Sequence, residues 1–124
     1  IIGNRNFITK IWSANNFLDL NNCILRKKIN LKQIKLPINQ WIFNEFIETQ
    51  LLVTKNIENF RFDEAARVIY QFVWHTYCDW YIEFLKPIFD LKKKDNLKET
   101  RAFAAYIQSS IMVMLHPFIP FFTD

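Results

Sequence analysis

Apolar residues recur along the 124-residue chain at intervals of three and four positions, the spacing that places side chains on one face of an α-helix. Proline is sparse and there is a single glycine, Gly3, so few turn signals interrupt this pattern. The predicted helices cover Arg5–Leu25, Asn39–Lys55, Phe62–Ile88 and Leu97–Leu115. The sequence therefore predicts an all-α fold, a helical bundle of four main helices that forms one domain over residues 1–124.

Residues with known capping preferences mark the predicted helix ends. Asn39 is a candidate N-cap for the second helix. Asn96, with Glu99 three positions later, resembles the capping box that opens a fourth helix. Pro87 predicts the place where the third helix kinks or begins to end.

The third predicted helix separates an apolar stripe from a polar face if each residue turns the helix by about 100°. The stripe, predicted to lie in the core, contains Phe62, Ala66, Ile69, Val73, Tyr77, Trp80 and Phe84. The opposite face, predicted to meet solvent, contains Glu64, Gln71, His75, Cys78, Asp79 and Lys86. On that face His75 and Asp79 are four residues apart, so their side chains can touch.

The stretch HTYCDWY, from His75 to Tyr81, contains residue types that serve in nucleophilic and metal sites. A catalytic cysteine needs a base and an orienting group that converge on a cleft, and a zinc site needs three or four ligands. Here His75 and Cys78 are predicted on a solvated helix face, and only Cys23 and His116 remain to complete a ligand set. We therefore expect neither catalysis nor metal binding at this stretch.

The composition excludes several classes of protein. With 51% hydrophobic and 17% aromatic residues, the chain is globular rather than disordered. A single glycine cannot build a P-loop, a GxGxxG turn or a nucleophile elbow. The longest apolar run, residues 111–122, is short and broken by prolines, so no membrane span is expected. Two cysteines without a spacing signature favour a cytoplasmic setting, and a start at Ile1 without a leader predicts an excised fragment.

Positive charge is concentrated in the first third of the chain. The formal net charge is +4, yet residues 1–38 carry seven basic residues against one acid, and residues 39–124 carry nine against eleven. This asymmetry favours an anionic partner for the N-terminal third, and a nucleic-acid backbone is the leading candidate. The alternative is a solvated helix face followed by a basic connector, RKKINLKQIKLPI, without a ligand.

Four stretches of the chain carry motifs that occur together in one family. The longest is RFDEAARVIYQFVWHTYCDWYIEFLKP, from Arg61 to Pro87. The others are RNFITKIWSANNF at 5–17, QWI at 40–42 and MLHPFIPFFTD at 114–124. They resemble, in the same order and over nearly the whole chain, the RFD-x-A-A…CDWY-x-E-x-x-KP, RNF-x-NK-[LI]-WNA-x-RF, RWI and LLHPFMPFITE patterns of the valyl-tRNA synthetase anticodon-binding domain. CDWYIEFLKP favours the valyl family over its isoleucyl and leucyl relatives.

This resemblance implies a monomeric helical bundle that receives the anticodon stem-loop of valine tRNA. The HIGH and KMSKS motifs of the family do not occur in the sequence, so we expect no catalytic residue, no metal and no cofactor in this chain. Use of ATP and Mg²⁺ would belong to a missing catalytic domain of the same protein, beside missing editing and coiled-coil domains. Two alternatives stay open: the same domain of an isoleucyl relative, and a helical module that docks a protein through the apolar tail PFIPFF.

The resemblance and the charge pattern together indicate RNA-binding residues near the start of the chain. Single-stranded RNA loops are recognised by stacking on aromatic rings, by hydrogen bonds to base edges and by cations at phosphates. We expect Arg5 and Lys10 to contact phosphate or bases, and Asn6 or Asn16 to bond base edges. Trp12 has two interpretations, because it can frame a nucleotide or pack inward.

A basic cluster follows the first predicted helix. Arg26, Lys27 and Lys28 are expected to attract RNA electrostatically. Two positions depart from the family's pattern: Thr9 stands where the family usually has asparagine, and Asn16 where it usually has arginine. If that arginine contacts RNA in the family, the basic cluster would have to replace it here.

Overall fold

The computed structural model describes residues 2–21, 23, 36–90 and 94–118, and nearly all of them are helical. The elements are α1 (Ile2–Leu20), α2 (Pro37–Glu58), α3 (Phe62–Gln71), a π-helical segment (Phe72–Ile82), α4 (Glu83–Asp90), α5 (Lys94–Leu115) and a 3-10 turn (His116–Phe118). From α3 to α4 the helix is continuous, so these three parts form the third main helix. The prediction of an all-α bundle of four main helices is confirmed. None of the described helices has the length and apolar character needed to cross a membrane.

Aromatic contacts fix how the helices run. α1 runs parallel to the third main helix, and α2 runs antiparallel to both. The order of the ring contacts along each helix shows these directions. The ring pairs that show this are Phe7–Tyr70 (4.9 Å between centroids), Phe17–Phe89 (5.9 Å), Phe46–Phe72 (6.0 Å) and Trp41–Phe84 (6.4 Å). α5 packs beside α2, where Phe43 lies 6.1 Å from Phe103. The third main helix is therefore the centre of the bundle, in contact with both α1 and α2.

The end of α1 lies earlier than predicted. The helix ends at Leu20 instead of Leu25. The Asn21 side chain donates to the Phe17 carbonyl oxygen at 2.8 Å, and the Cys23 amide donates to the Leu18 carbonyl oxygen at 2.9 Å. These bonds, together with the Asn21 amide at 3.2 Å from both carbonyl oxygens, satisfy carbonyl groups at the end of the helix.

The start of α2 differs from the prediction that Asn39 is its N-cap. Leu36 is the N-cap and Pro37 occupies the first turn, where its missing N–H costs nothing. Asn39 is fully buried inside the first turn, and its Nδ2 donates to Glu99 Oε2 at 3.0 Å and to Thr100 Oγ1 at 3.4 Å. The asparagine therefore joins α2 to α5 instead of capping its own helix.

The predicted capping box of α5 is also wrong. The helix begins at Lys94, so Asn96 lies inside it. Glu99 instead accepts a hydrogen bond from the Leu36 backbone amide at 3.2 Å. A carboxylate at a helix N-terminus satisfies free amides and is favoured by the helix dipole. Glu99 thus caps α2 from a neighbouring helix, a role that local sequence spacing does not reveal.

The buried side of the third main helix follows a spacing of four residues. The buried residues at this spacing are Ala65, Ile69, Val73, Tyr77, Tyr81, Leu85 and Phe89, and Phe72, Cys78 and Ile82 are buried beside them. In a regular α-helix a step of four residues turns about 40° beyond a full circle, so such a series would wind away from the core. The i→i+5 bonds of the π-helical segment place more residues in each turn and reduce this drift. The segment therefore keeps the whole series facing its neighbours.

These buried positions correct the predicted apolar stripe. Residues in the middle of the stripe are buried as predicted, but residues at its ends are exposed. Members of the stripe that prove exposed are Phe62, Trp80 and Phe84, and the predicted polar residue that proves buried is Cys78. Phe62 is exposed because it begins α3, at the end of the bundle. The other errors arise because the 100° rotation does not hold within the wider π turns. Pro87 lies within α4 and does not end it.

Candidate RNA-binding face

The inner side of α1 anchors it to the bundle. Residues at helical spacing are buried there: Phe7, Ile11, Ala14 and Leu18. Phe7 lies in a stack of rings with Tyr70 and Trp74 of the third main helix. This packing determines which side of α1 faces outward.

The outward side of α1 carries a tryptophan among small polar residues. Its exposed members are Asn6, Ile8, Thr9, Trp12, Ser13, Asn16, Asp19 and Leu20. Trp12 is 66% exposed, so its interpretation as an inward-packing residue is wrong. Thr9, Trp12 and Asn16 lie three and four residues apart and therefore share one side of the helix. Between Asn6 and Leu20 this face contains one charged residue, Asp19.

Lys10 lies beside this face and is held by the third main helix. Its ammonium forms an ion pair with Asp79 and lies 4.1 Å from the ring centroid of Trp74. A cation above a tryptophan ring is attracted by its negative face. Asp79 also lies 3.4 Å from His75, measured from Oδ2 to Nδ1, so the predicted contact between those two residues is confirmed. Asp79 competes for the Lys10 ammonium, and an RNA contact by Lys10 stays a prediction.

Most of the predicted basic contacts lie outside the described residues. Arg5 belongs to the α1 backbone, but its side chain is not among those described, and neither are Arg26, Lys27 and Lys28. Their roles in RNA binding stay predictions. Among the described residues, the face of α1 thus offers an aromatic ring, amides and hydroxyls, which suit bases better than phosphates.

Cys78 has no environment that would activate it. Burial raises the pKa of the Cys78 thiol to about 12, so the side chain stays protonated near neutral pH. Burial likewise raises the pKa of the Cys23 thiol to about 11. Over the described part of the chain, no group of three or more His, Cys, Asp or Glu side chains could hold a metal ion.

Sequence reasoning missed a second exposed aromatic site. Trp80 and Phe84 lie 5.8 Å apart on the third main helix, and Phe84 meets Trp41 of α2 edge-on at 6.4 Å. Trp80 is 56% exposed and Phe84 46% exposed, whereas Trp41 is half-buried. We call these three residues the aromatic patch. The four-residue repeat that ends in Tyr81, Leu85 and Phe89 does not by itself reveal the patch, because other neighbours of the repeat, Cys78 and Ile82, are buried.

Comparison with known proteins identifies the class to which this fold belongs. The family model described as the anticodon-binding domain of tRNA ligase matches residues 39–124. The chain therefore belongs to this family of helical domains.

The most informative similarities are to valine–tRNA ligases. The chain is 49% identical, over 98% of its length, to the valine–tRNA ligase of Pelagibacter ubique, and covers 14% of that protein. It is 42% identical over its full length to the enzyme of Agrobacterium fabrum, covering 13%. With the Bartonella henselae enzyme it shares 40% identity over its full length and covers 14%. The chain thus spans about a seventh of the relatives it matches. No solved structure matches it.

Proposed function

We propose that residues 1–124 are the anticodon-binding part of a valine–tRNA ligase. In this role the bundle holds the anticodon stem-loop of valine tRNA, while a catalytic domain elsewhere in the same chain uses ATP and Mg²⁺ to attach valine. The bundle contributes no catalytic residue and no cofactor site, and the ligase acts as a monomer in the cytoplasm. The family match and the 49% identity to a valine–tRNA ligase support this proposal.

The outward side of α1 is the surface that receives the loop. The observation that carries this assignment is Trp12, a large ring that is 66% exposed on a helix whose opposite side is buried in the bundle. Unpaired bases stack on such a ring, and each stacked base contributes about 1–3 kcal/mol. Asn16, one turn further along, and Asn6, near the helix start, carry amides that can bond base edges.

Phosphate binding is assigned to basic residues that precede and follow this face in the sequence. Arg5 lies on the α1 backbone, two turns before Trp12. Arg26, Lys27 and Lys28 follow the helix in sequence and supply positive charge that the face itself lacks. Together they would attract the loop, and the uncharged face would then distinguish its bases.

Steady-state kinetics of the full-length protein test the proposal. Trp12→Ala should raise the KM for valine tRNA by roughly tenfold or more, because one stacked base is lost. Valine-dependent exchange of pyrophosphate into ATP should not change, since that reaction needs no tRNA. Leu51→Ala is the matched control, because Leu51 is also 66% exposed but lies on α2, away from this face in the sequence.

Other outcomes distinguish the alternatives. Charging of isoleucine tRNA with isoleucine, and not of valine tRNA with valine, would assign the chain to the isoleucyl relative. An unchanged KM for Trp12→Ala would remove RNA binding from this face. In that case a protein-docking role would remain for the bundle.

A further inference from the structure

The aromatic patch formed by Trp41, Trp80 and Phe84 lies on other helices than the proposed RNA-binding side of α1. We infer that it is a docking surface for another domain of the same ligase chain. The patch spans two helices, α2 and the third main helix, and its rings meet at centroid distances of 5.8 Å and 6.4 Å. Exposed apolar clusters of this kind mark interaction surfaces, and tryptophan is enriched among residues that dominate interface energies.

The charges around the patch favour a protein over RNA. The charged residues nearest to Trp80 along its helix are Asp79 and Glu83, and Glu45 lies one turn beyond Trp41 on α2. Glu83 is paired with Lys86 at 2.8 Å and Asp79 with Lys10, so both charges of each pair are compensated. These two cations are therefore already held, and a phosphate backbone would gain little from them. Apolar side chains, by contrast, would bury the rings.

The size of the relatives indicates which protein covers the patch. This inference depends on the proposed function, that is, on the chain being part of a ligase. The valine–tRNA ligases it matches are about seven times longer than the chain, which spans 14% of the Pelagibacter ubique enzyme. A domain tethered in the same polypeptide is present at an effective concentration of about millimolar or more. A tethered domain therefore has an advantage over a separate protein or a second copy.

Photo-cross-linking in the full-length ligase tests this docking surface. Trp80→p-benzoylphenylalanine and, separately, Phe84→p-benzoylphenylalanine replace one exposed ring by another, so the bundle should keep its fold. Each variant is irradiated once without and once with valine tRNA, digested and analysed by mass spectrometry. We expect cross-links to peptides of the same chain outside residues 1–124. Trp12→p-benzoylphenylalanine is the matched control, and it should give such cross-links in low yield but cross-link to valine tRNA when this is added.

The outcomes separate the two proposals. Cross-links from both patch positions to RNA, to a second copy, to residues 1–124, or to nothing would overturn the docking surface. Absence of valine–tRNA ligase activity in the unsubstituted protein would instead overturn the proposed function.

Discussion

Trp12 and Trp80 are both exposed tryptophans, yet their surroundings differ. Trp12 lies on a single helix among Thr9, Asn16 and other uncharged residues, and the basic cluster of the chain follows that helix in sequence. Trp80 contacts a second ring, Phe84, and has carboxylates on both sides along its helix. The exposed fractions, 66% and 56%, do not distinguish them.

The comparison shows that the neighbours of an exposed ring indicate its ligand better than its exposure does. An isolated ring with amides and hydroxyls beside it can stack on one base and bond to its edge. A ring that shares its exposed area with a second helix presents a broader apolar surface, and such a surface suits a packed protein interface. These two surfaces occur on different helices, so a substitution can change one and leave the other intact.

The largest expected effect tests the rotation of the third main helix, which buries Leu85 and leaves Trp80 and Phe84 exposed. Leu85 is fully buried and Phe84 is 46% exposed, although they are adjacent. Leu85→Ala should lower the free energy of unfolding by about 2–5 kcal/mol, because it leaves a cavity in the core. Phe84→Ala should lower it by about 1 kcal/mol or less, since much of that ring is already in water. Urea denaturation of the chain, followed by circular dichroism, measures both values.

Equal losses of unfolding free energy in Leu85→Ala and Phe84→Ala would contradict this rotation of the helix. A larger loss for Phe84→Ala would favour the apolar stripe predicted from a uniform helical rotation. In that case Trp80 and Phe84 would belong to the core, and the aromatic patch would not exist.

The number of main helices follows from the sequence, but their directions and the side-chain assignments do not, because they depend on tertiary contacts and on details of the turns. Spacings of three and four residues predicted the third main helix and the burial of Ile69, Val73 and Tyr77. The sequence pattern has no direct sign of the π-helical segment, which rotates Trp80 outward and Cys78 inward. The exposure of Trp12 could not be predicted from sequence either. It depends on how α1 is rotated against the bundle, and the contact of Phe7 with Tyr70 sets that rotation.

A smaller effect is expected at the cap that positions α2 and thus Trp41. Glu99→Ala removes the acceptor for the Leu36 amide and for Asn39 Nδ2, and leaves Asn39 buried without this partner. The free energy of unfolding should fall by about 1–3 kcal/mol, the cost of an unsatisfied buried polar group. Glu99→Gln is the control, because its side chain keeps one acceptor oxygen and should lose less. In the full-length ligase Glu99→Ala should also reduce cross-linking from Trp80 more than cross-linking of tRNA from Trp12.

Equal stability of Glu99→Ala and the unsubstituted chain would contradict this cap. It would show that the free backbone amides in the first turn of α2 form their hydrogen bonds with water. The aromatic patch would then depend on ring packing alone.

The smallest expected effect concerns the ion pair that joins the two regions. Lys10 belongs to α1, and Asp79 directly precedes Trp80. The side chains of Lys10 and Asp79 are 29% and 42% exposed, so solvent screens the pair. A double-mutant cycle with Lys10→Met and Asp79→Asn should give a coupling of about 1 kcal/mol or less in urea denaturation.

The same two variants distinguish two possible roles of Lys10 in RNA binding, orientation of α1 and contact with a phosphate. If the ion pair only orients α1, Lys10→Met and Asp79→Asn should raise the KM for valine tRNA by the same small factor. If Lys10 contacts a phosphate, Lys10→Met alone should raise it and should also reduce the dependence of binding on salt, because one fewer counterion is released. We expect equal effects, since Asp79 and the Trp74 ring already hold the Lys10 ammonium. An increase in KM confined to Lys10→Met would show that Lys10 contacts a phosphate. It would also extend the RNA-binding surface of α1 toward the third main helix.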